Sequence, residues 1–127
     1  MADTPKIATI TGGSRGLGRS MVLHLARKGV SSLFTYVSSA EEAEKVAAEA
    51  ESVGARAVGL KLDTGDVSSF DGFVDRVRSV LSDFGVDRFD YLVNNGGISS
   101  HTPFIELTEE ELDRLYSINF KGVLLLT

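Results

Sequence analysis

The chain contains no cysteine. That absence excludes a disulfide framework and any cysteine-ligated zinc or iron–sulfur site, and with two histidines no metal centre is expected. Proline is nearly as scarce. Pro5 and Pro103 lie outside the periodic segments, and no repeat, low-complexity run or proline-rich linker divides the 127 residues. Long apolar runs are missing: no stretch approaches a bilayer span, and no long apolar core follows a basic segment at the start. The chain therefore reads as soluble, unexported and cytoplasmic, with no membrane partner. A basic excess is absent too, because 13 basic and 18 acidic residues give a formal charge of −5, which repels phosphate backbones. Nucleic acid is not an expected partner.

What is present describes one folded domain over 1–127, with 43% hydrophobic and 24% charged residues. Lys6 to Ile10 reads as a buried strand ending in a tight turn at Thr11, Gly12 and Gly13. Leu17, Met21, Val22 and Leu25 then recur at helical spacing as the apolar face of a helix that Gly29 stops. Ser32 to Val37 is a second strand, and Ser39 with Glu42 forms a capping box opening a second helix that ends at Gly54. Arg56 to Leu62 alternates as a third strand. Phe70, Phe73, Val74, Val77, Leu81 and Phe84 make the apolar stripe of a third helix, closed by Gly85. Tyr91 to Val93 is a fourth strand, and a second capping box, Thr108 with Glu111, opens a fourth helix near Glu109, with Leu107 and Leu112 at staple positions.

Strand alternates with helix four times, across connections too long for hairpins, which predicts parallel strands joined by right-handed crossovers. The fold class is α/β, a doubly wound parallel sheet of the Rossmann type. Ligands of such sheets bind beyond the carboxyl ends of the strands, so the informative residues follow Ile10, Val37, Leu62 and Val93.

After the first strand stands Thr11-Gly12-Gly13-Ser14-Arg15-Gly16-Leu17-Gly18. Glycines at 12, 16 and 18 permit backbone angles other residues resist, let the chain approach a diphosphate, and let helix pack on strand. The first-turn amides, at the positive end of the helix dipole, then face the phosphates. A purely packing role is the alternative, but the strand, turn and helix context of a nucleotide site is met. No Lys-Ser or Lys-Thr pair follows the glycines, which excludes a Walker A loop.

The spacing resembles the Thr-Gly-x-x-x-Gly-x-Gly signature of the short-chain dehydrogenase/reductase family. Leu62-Asp63, Asn94-Asn95-Gly96-Gly97, and Asn119 with Gly122 match further family motifs in order, so the resemblance covers nearly the whole chain. It implies that Gly12, Gly16, Leu17 and Gly18 hold a pyrophosphate, that Asp63 accepts from an adenine amino group, and that Asn95, Gly96 and Gly97 pass beside the adenosine ribose. Read singly, Asp63 is also a plausible turn carboxylate or helix cap, and the asparagines are ordinary turn residues. The family usually has Ala where Gly96 stands.

The end of the second strand lacks the acidic residue that grips both ribose hydroxyls of NAD. It reads Tyr36-Val37-Ser38-Ser39, and the first carboxylates, Glu41 and Glu42, fall inside the helix. Arg15 supplies a planar fork for a phosphate, with Ser14 beside it in the turn, and Ser38 and Ser39 supply hydroxyls. NADP is the expected cofactor and NAD the alternative. A solvent-facing cation covering the adenine is the other reading of Arg15.

The family's reaction moves hydride between nicotinamide and a ketone or secondary alcohol, while a tyrosine whose pKa a lysine lowers passes the proton. Four residues after Tyr36, Tyr91 and Tyr116 come Ala40, Asn95 and Phe120, so no Tyr-x-x-x-Lys exists in the chain. The fifth strand that would carry the family's serine is also missing. Of the family's catalytic residues only Asn119 has a counterpart; the resemblance implies that it organises a helix kink and a water. An asparagine satisfied locally is the alternative. The apolar run Val123-Leu124-Leu125-Leu126-Thr127 ends without a cap and calls for a cover. The chain thus reads as the leading, adenosine-binding half of an enzyme with a sheet in 3-2-1-4 order, predicted inactive by itself. The helix within 109–127 is implied to take part in homo-oligomer formation. A non-catalytic dinucleotide-binding module is the second reading. A methyltransferase-like sheet is disfavoured by the match at four motifs.

Overall fold

The structure is a computed structural model and describes residues 4–127. Four parallel strands, β1 (Ile7–Ile10), β2 (Ser31–Tyr36), β3 (Ala57–Lys61) and β4 (Tyr91–Val93), form one sheet in the order β3-β2-β1-β4. The expected 3-2-1-4 order is therefore observed. Ile10 is aligned with Phe34 on one side and Val93 on the other. As the central strand, β1 is buried along its whole length, which is why it is an unbroken apolar and β-branched run.

Alternation along β1 splits the core. Ala8 and Ile10 pack with Phe34, Val22 and Val46 beneath α1 (Gly16–Arg27) and α2 (Ala40–Ser52). Ile7 faces the other way, joining Leu33, Phe70, Phe73, Val77 and Leu81 beneath α3 (Phe70–Asp83). Gly29, Gly54 and Gly85, all at positive φ, follow the three helices as expected. Among the described residues no helix is long and apolar enough to cross a membrane.

Several local expectations need correction. Strand limits shift by one residue: Lys6, Arg56 and Leu62 lie outside the strands, and β2 runs from Ser31 to Tyr36. Leu17 does not join the apolar face of α1 and is 74% exposed, because the first helical turn projects past the sheet edge over the glycine turn. Val74 is likewise exposed at the margin of the α3 stripe.

Both capping boxes form by half. Ser39 Oγ accepts from the Glu42 N–H at 3.3 Å and Thr108 Oγ1 from the Glu111 N–H at 3.2 Å. The glutamate side chains turn elsewhere, Glu42 to Lys45 and Glu111 to the hydroxyls of Ser100 and Thr102. A nearby cation or pair of hydroxyls outcompetes the backbone amide.

The helix beginning at Glu109 is interrupted. α4 (Glu109–Tyr116) passes into a π-helical turn at Ser117–Lys121 and continues as α5 (Gly122–Leu126). Leu112, expected in a staple with Leu107, instead lies exposed, as do Tyr116, Phe120 and Leu124, which follow it at intervals of four. Tyr116 and Phe120 stack at 5.5 Å. Of the apolar run that ends the chain, Leu126 reaches the α3 cluster while Leu124 and Leu125 stay exposed.

Candidate functional site

A cleft of 470 Å³ opens beyond the carboxyl ends of the four strands, including the point between β1 and β4 where strand order reverses. A hollow of 590 Å³ lies at the amino ends of the strands, lined by Asp87 and by Asp90, the latter engaged with the Ile7 N–H at 2.9 Å and with Lys6. The cleft at the carboxyl ends is the site that the crossover topology builds.

Its floor is the glycine turn. Gly12 and Gly16 take positive φ values of 68° and 60°, which side-chain-bearing residues rarely adopt. Gly18 serves close approach instead: a Cβ there would lie 2.0 Å from the Gly12 carbonyl oxygen. Of the tasks expected of these glycines, permissive backbone angles fall to Gly12 and Gly16 and close packing falls to Gly18.

The turn is welded in place by Thr11, which is buried, and by Asn95. Thr11 Oγ1 accepts from the N–H groups of Asn95 and Gly96 at 3.0 and 2.8 Å. Asn95 Nδ2 donates to the carbonyls of Thr11 and Gly12, both at 3.1 Å. On the other side the Gly12 N–H donates to Thr35 Oγ1 at 3.1 Å and the Gly13 N–H to the Thr35 carbonyl at 2.9 Å. The Thr11 and Gly12 carbonyls are thus occupied by the Asn95 amide.

The amides at the start of α1 are left available. No side chain caps this helix among the described residues, and its first turn holds no acidic residue. In α2 and α4, by contrast, a hydroxyl caps the helix and glutamates fill the first turn. An uncapped N-terminus at a cleft floor attracts an anion through its free N–H groups and dipole.

Most of the residues expected at the site come together here. Gly12, Ser14, Arg15 and Gly16 line the cleft from the turn, Tyr36 and Ser38 from the end of β2, Leu62 and Asp63 from the end of β3, and Asn95, Gly96 and Gly97 from the end of β4. Three do not line it. Leu17 points to solvent, Gly18 is packed under the turn, and Asn119 holds the neighbouring loop through Ile98. Asp63 Oδ1 accepts from the Gly65 N–H at 2.9 Å, so it is also a turn residue, while its Oδ2 lies 3.9 Å from Arg114.

Thr11, Thr35, Thr64, Arg114 and Ile118 are site residues that the sequence reading missed. The last two had a signal: Arg114, Ile118 and Gly122 are spaced by four, and a Cβ at Gly122 would lie 1.8 Å from the Thr64 carbonyl. A glycine under that constraint marks where one helix face presses on a loop.

The short chain dehydrogenase family model matches residues 6–127. The chain belongs to the short-chain dehydrogenase family. A "Probable tetrahydroxynaphthalene reductase" of Zymoseptoria tritici is 37% identical over 117 residues, 92% of this chain and 42% of that protein. A short-chain dehydrogenase/reductase of Serratia marcescens superposes with a TM-score of 0.83 at 36% identity, covering 95% of this chain and 47% of the other. A short chain dehydrogenase of Burkholderia cenocepacia, solved in complex with NADP, gives 0.84 at 36% identity with the same coverage. The chain spans less than half the length of these family members.

Proposed function

We propose that this chain forms the adenosine and pyrophosphate half of an NADP-dependent oxidoreductase acting on a ketone or secondary alcohol. The observation that carries the reading is the uncapped start of α1 beneath a Gly12–Gly16 turn at the cleft floor. Ser14, Gly16, Leu17 and Gly18 offer backbone to the pyrophosphate, with Gly12 and Gly18 shaping the approach. Arg15 and Ser38 flank the seat of the additional phosphate of NADP, where the β2 end bears no carboxylate. Leu62 and Asp63 meet the adenine, Tyr36 borders it, and Asn95, Gly96 and Gly97 run beside the ribose. The cleft's residues fit such a group: its floor is bare backbone at Gly12 and Gly16, and the first amides of α1 beside it carry no side-chain cap.

The bound nicotinamide nucleotide would give hydride to a ketone in its reduced form or take hydride from a secondary alcohol in its oxidised form. Asn119 contributes by position, holding the loop beyond β4. The chain has no Tyr-x-x-x-Lys, so the proton-transferring pair is assigned to sequence outside these residues, and the relatives' greater length supports that assignment. The exposed face of Leu112, Tyr116, Phe120 and Leu124 supports self-association through α4 and α5. A cytoplasmic location and small-molecule substrates complete the reading. NAD is the second reading for the cofactor, favoured by Glu42, an acidic residue that lines the cleft.

Titration of the chain with NADP and NAD, before and after Arg15→Ala, tests the proposal. Arg15→Ala is expected to weaken NADP about tenfold and leave NAD nearly unchanged, the loss of one charge-assisted phosphate contact. Equal effects on both would remove Arg15 from the phosphate site. No binding of either dinucleotide would remove the reading altogether.

A further inference from the structure

Arg114 stands on an acidic helix start, with Glu110 and Glu111 four and three residues before it and within ordinary helical pairing distance in sequence. Its ion pair is made elsewhere. Nη1 lies 3.9 Å from Asp63 Oδ2, across the cleft wall from the end of β3, and both residues line the cleft. Glu111 is taken up by Ser100 and Thr102, which leaves the Arg114 guanidinium to reach off the helix.

The base of that arm is fixed. Ile118, one turn later, is buried, and a Cβ at Gly65 would come within 2.8 Å of its side chain. Gly122 then brings the helix onto the Thr64 carbonyl. The helix bearing Arg114 is therefore seated on the same Asp63–Gly65 turn that carries the carboxylate.

Asp63 is constrained from both sides, Oδ1 by the Gly65 N–H and Oδ2 by the guanidinium. Each oxygen keeps a free lone pair. A carboxylate that is 37% exposed and held by one hydrogen bond would otherwise rotate among several orientations. With the guanidinium 3.9 Å from Oδ2 adding its attraction, the carboxylate is biased toward one orientation at the cleft wall.

We propose that Arg114 is the positioning residue that aims the Asp63 carboxylate at the amino group of a bound adenine. It thereby sets the preference for adenine over a purine with a carbonyl at the same carbon. The inference rests on the dinucleotide reading of the cleft. An amino group donates to a carboxylate, whereas a carbonyl oxygen opposes it with a second lone pair.

The test compares equilibrium binding of NADP and of its hypoxanthine counterpart, in which a carbonyl replaces the amino group. The full chain, Arg114→Met, Arg114→Lys, Asp63→Asn and the Arg114→Met/Asp63→Asn double variant are measured. The unaltered chain is expected to prefer NADP about tenfold, the scale of one hydrogen bond to a charged group. Arg114→Met should cut that preference at least about threefold, Arg114→Lys should recover most of it, and Arg114→Met should change nothing further in the Asp63→Asn background. Circular dichroism identifies the folded variants. If Arg114→Met fails to fold, Arg114→Lys must retain the preference that Asp63→Asn loses.

A uniform loss of affinity for both dinucleotides in Arg114→Met, or no change in either, overturns the positioning role. A preference in the unaltered chain that Asp63→Asn leaves intact places the base reader elsewhere, and the proposal falls. Failure to bind either dinucleotide removes the underlying reading as well, so the two failures are told apart.

Discussion

Asn119 pairs with Ile98 through both ends of its amide: Oδ1 accepts from the Ile98 N–H at 2.9 Å and Nδ2 donates to the Ile98 carbonyl at 2.7 Å. The side chain thus replaces a neighbouring strand for the loop that leaves β4. It does so from the π-helical turn at Ser117–Lys121, where one extra residue per turn interrupts the regular helix. A Cβ at Gly97 would approach Asn119 Oδ1 to 3.0 Å, so the loop is drawn tight against the turn.

Asn119→Ala is accordingly expected to free this loop before it affects the sheet. The two lost hydrogen bonds are solvent-accessible, which places the cost near about 1 kcal/mol in urea unfolding. Hydrogen exchange should accelerate at the Ile98 amide and stay unchanged in β1. Unaltered exchange at Ile98 would show that the paired amide does not restrain the loop.

Two glycines of different surroundings should respond in opposite directions to the same methyl group. At Gly18 a Cβ would overlap the Gly12 carbonyl at 2.0 Å, so Gly18→Ala must push the glycine turn outward. We expect a loss of about 2 kcal/mol or more, together with loss of dinucleotide binding. Gly72, on the solvent side of α3, meets nothing within 4 Å and has no positive φ. Gly72→Ala should therefore stabilise the chain by about 0.4–1 kcal/mol through the unfolded state. Thermal or urea melts decide both, and a neutral Gly18→Ala would refute the close approach.

Glycine positions were legible from sequence because backbone geometry imposes few alternatives: Gly12 and Gly16 sit at positive φ and Gly18 under a carbonyl, each recognisable by spacing after a buried strand. Strand order followed from crossover length and handedness. Thr64 was not legible, and the four-residue spacing of Arg114, Ile118 and Gly122 marks one helix face without saying what it meets, because their place in the cleft depends on how α4 settles on the loop after β3. Leu17 was misplaced for a related reason. Helical spacing records which face a residue occupies but not where the underlying sheet ends. The capping-box reading of Glu111 was sound for the backbone half and wrong for the side chain, since Ser100 and Thr102 approach from a distant loop.

Glu42 bears on cofactor choice. The residue lines the cleft with Ser38 and Ser39, and Lys45, 3.3 Å from its carboxylate, neutralises that charge only in part at this exposed position. Glu42→Gln should tighten NADP severalfold while changing NAD little, because removal of one exposed like charge is worth about 0.5–1 kcal/mol. The effect should shrink as salt rises. Equal affinities before and after the substitution would place the additional phosphate beyond the reach of this charge.

The last prediction concerns acid. Hydrogen bonds from Ser100, and next from Thr102, favour the ionised Glu111 carboxylate and hold its pKa below the ordinary glutamate range. The unfolded chain lacks these donors, so it binds the proton more readily than the folded chain does. The resulting restraint is fully present above the ordinary glutamate pKa and is lost as pH falls through the lowered folded value. Amide exchange at Thr102, whose N–H donates to Ser100 Oγ at 3.1 Å, should therefore exceed the rise or fall set by intrinsic chemistry only at the acid end. Glu111→Gln removes the titrating group and should leave protection at Thr102 independent of pH. The same acid loosening in Glu111→Gln as in the unaltered chain would assign it to other carboxylates and dismiss Glu111 as the latch of this loop.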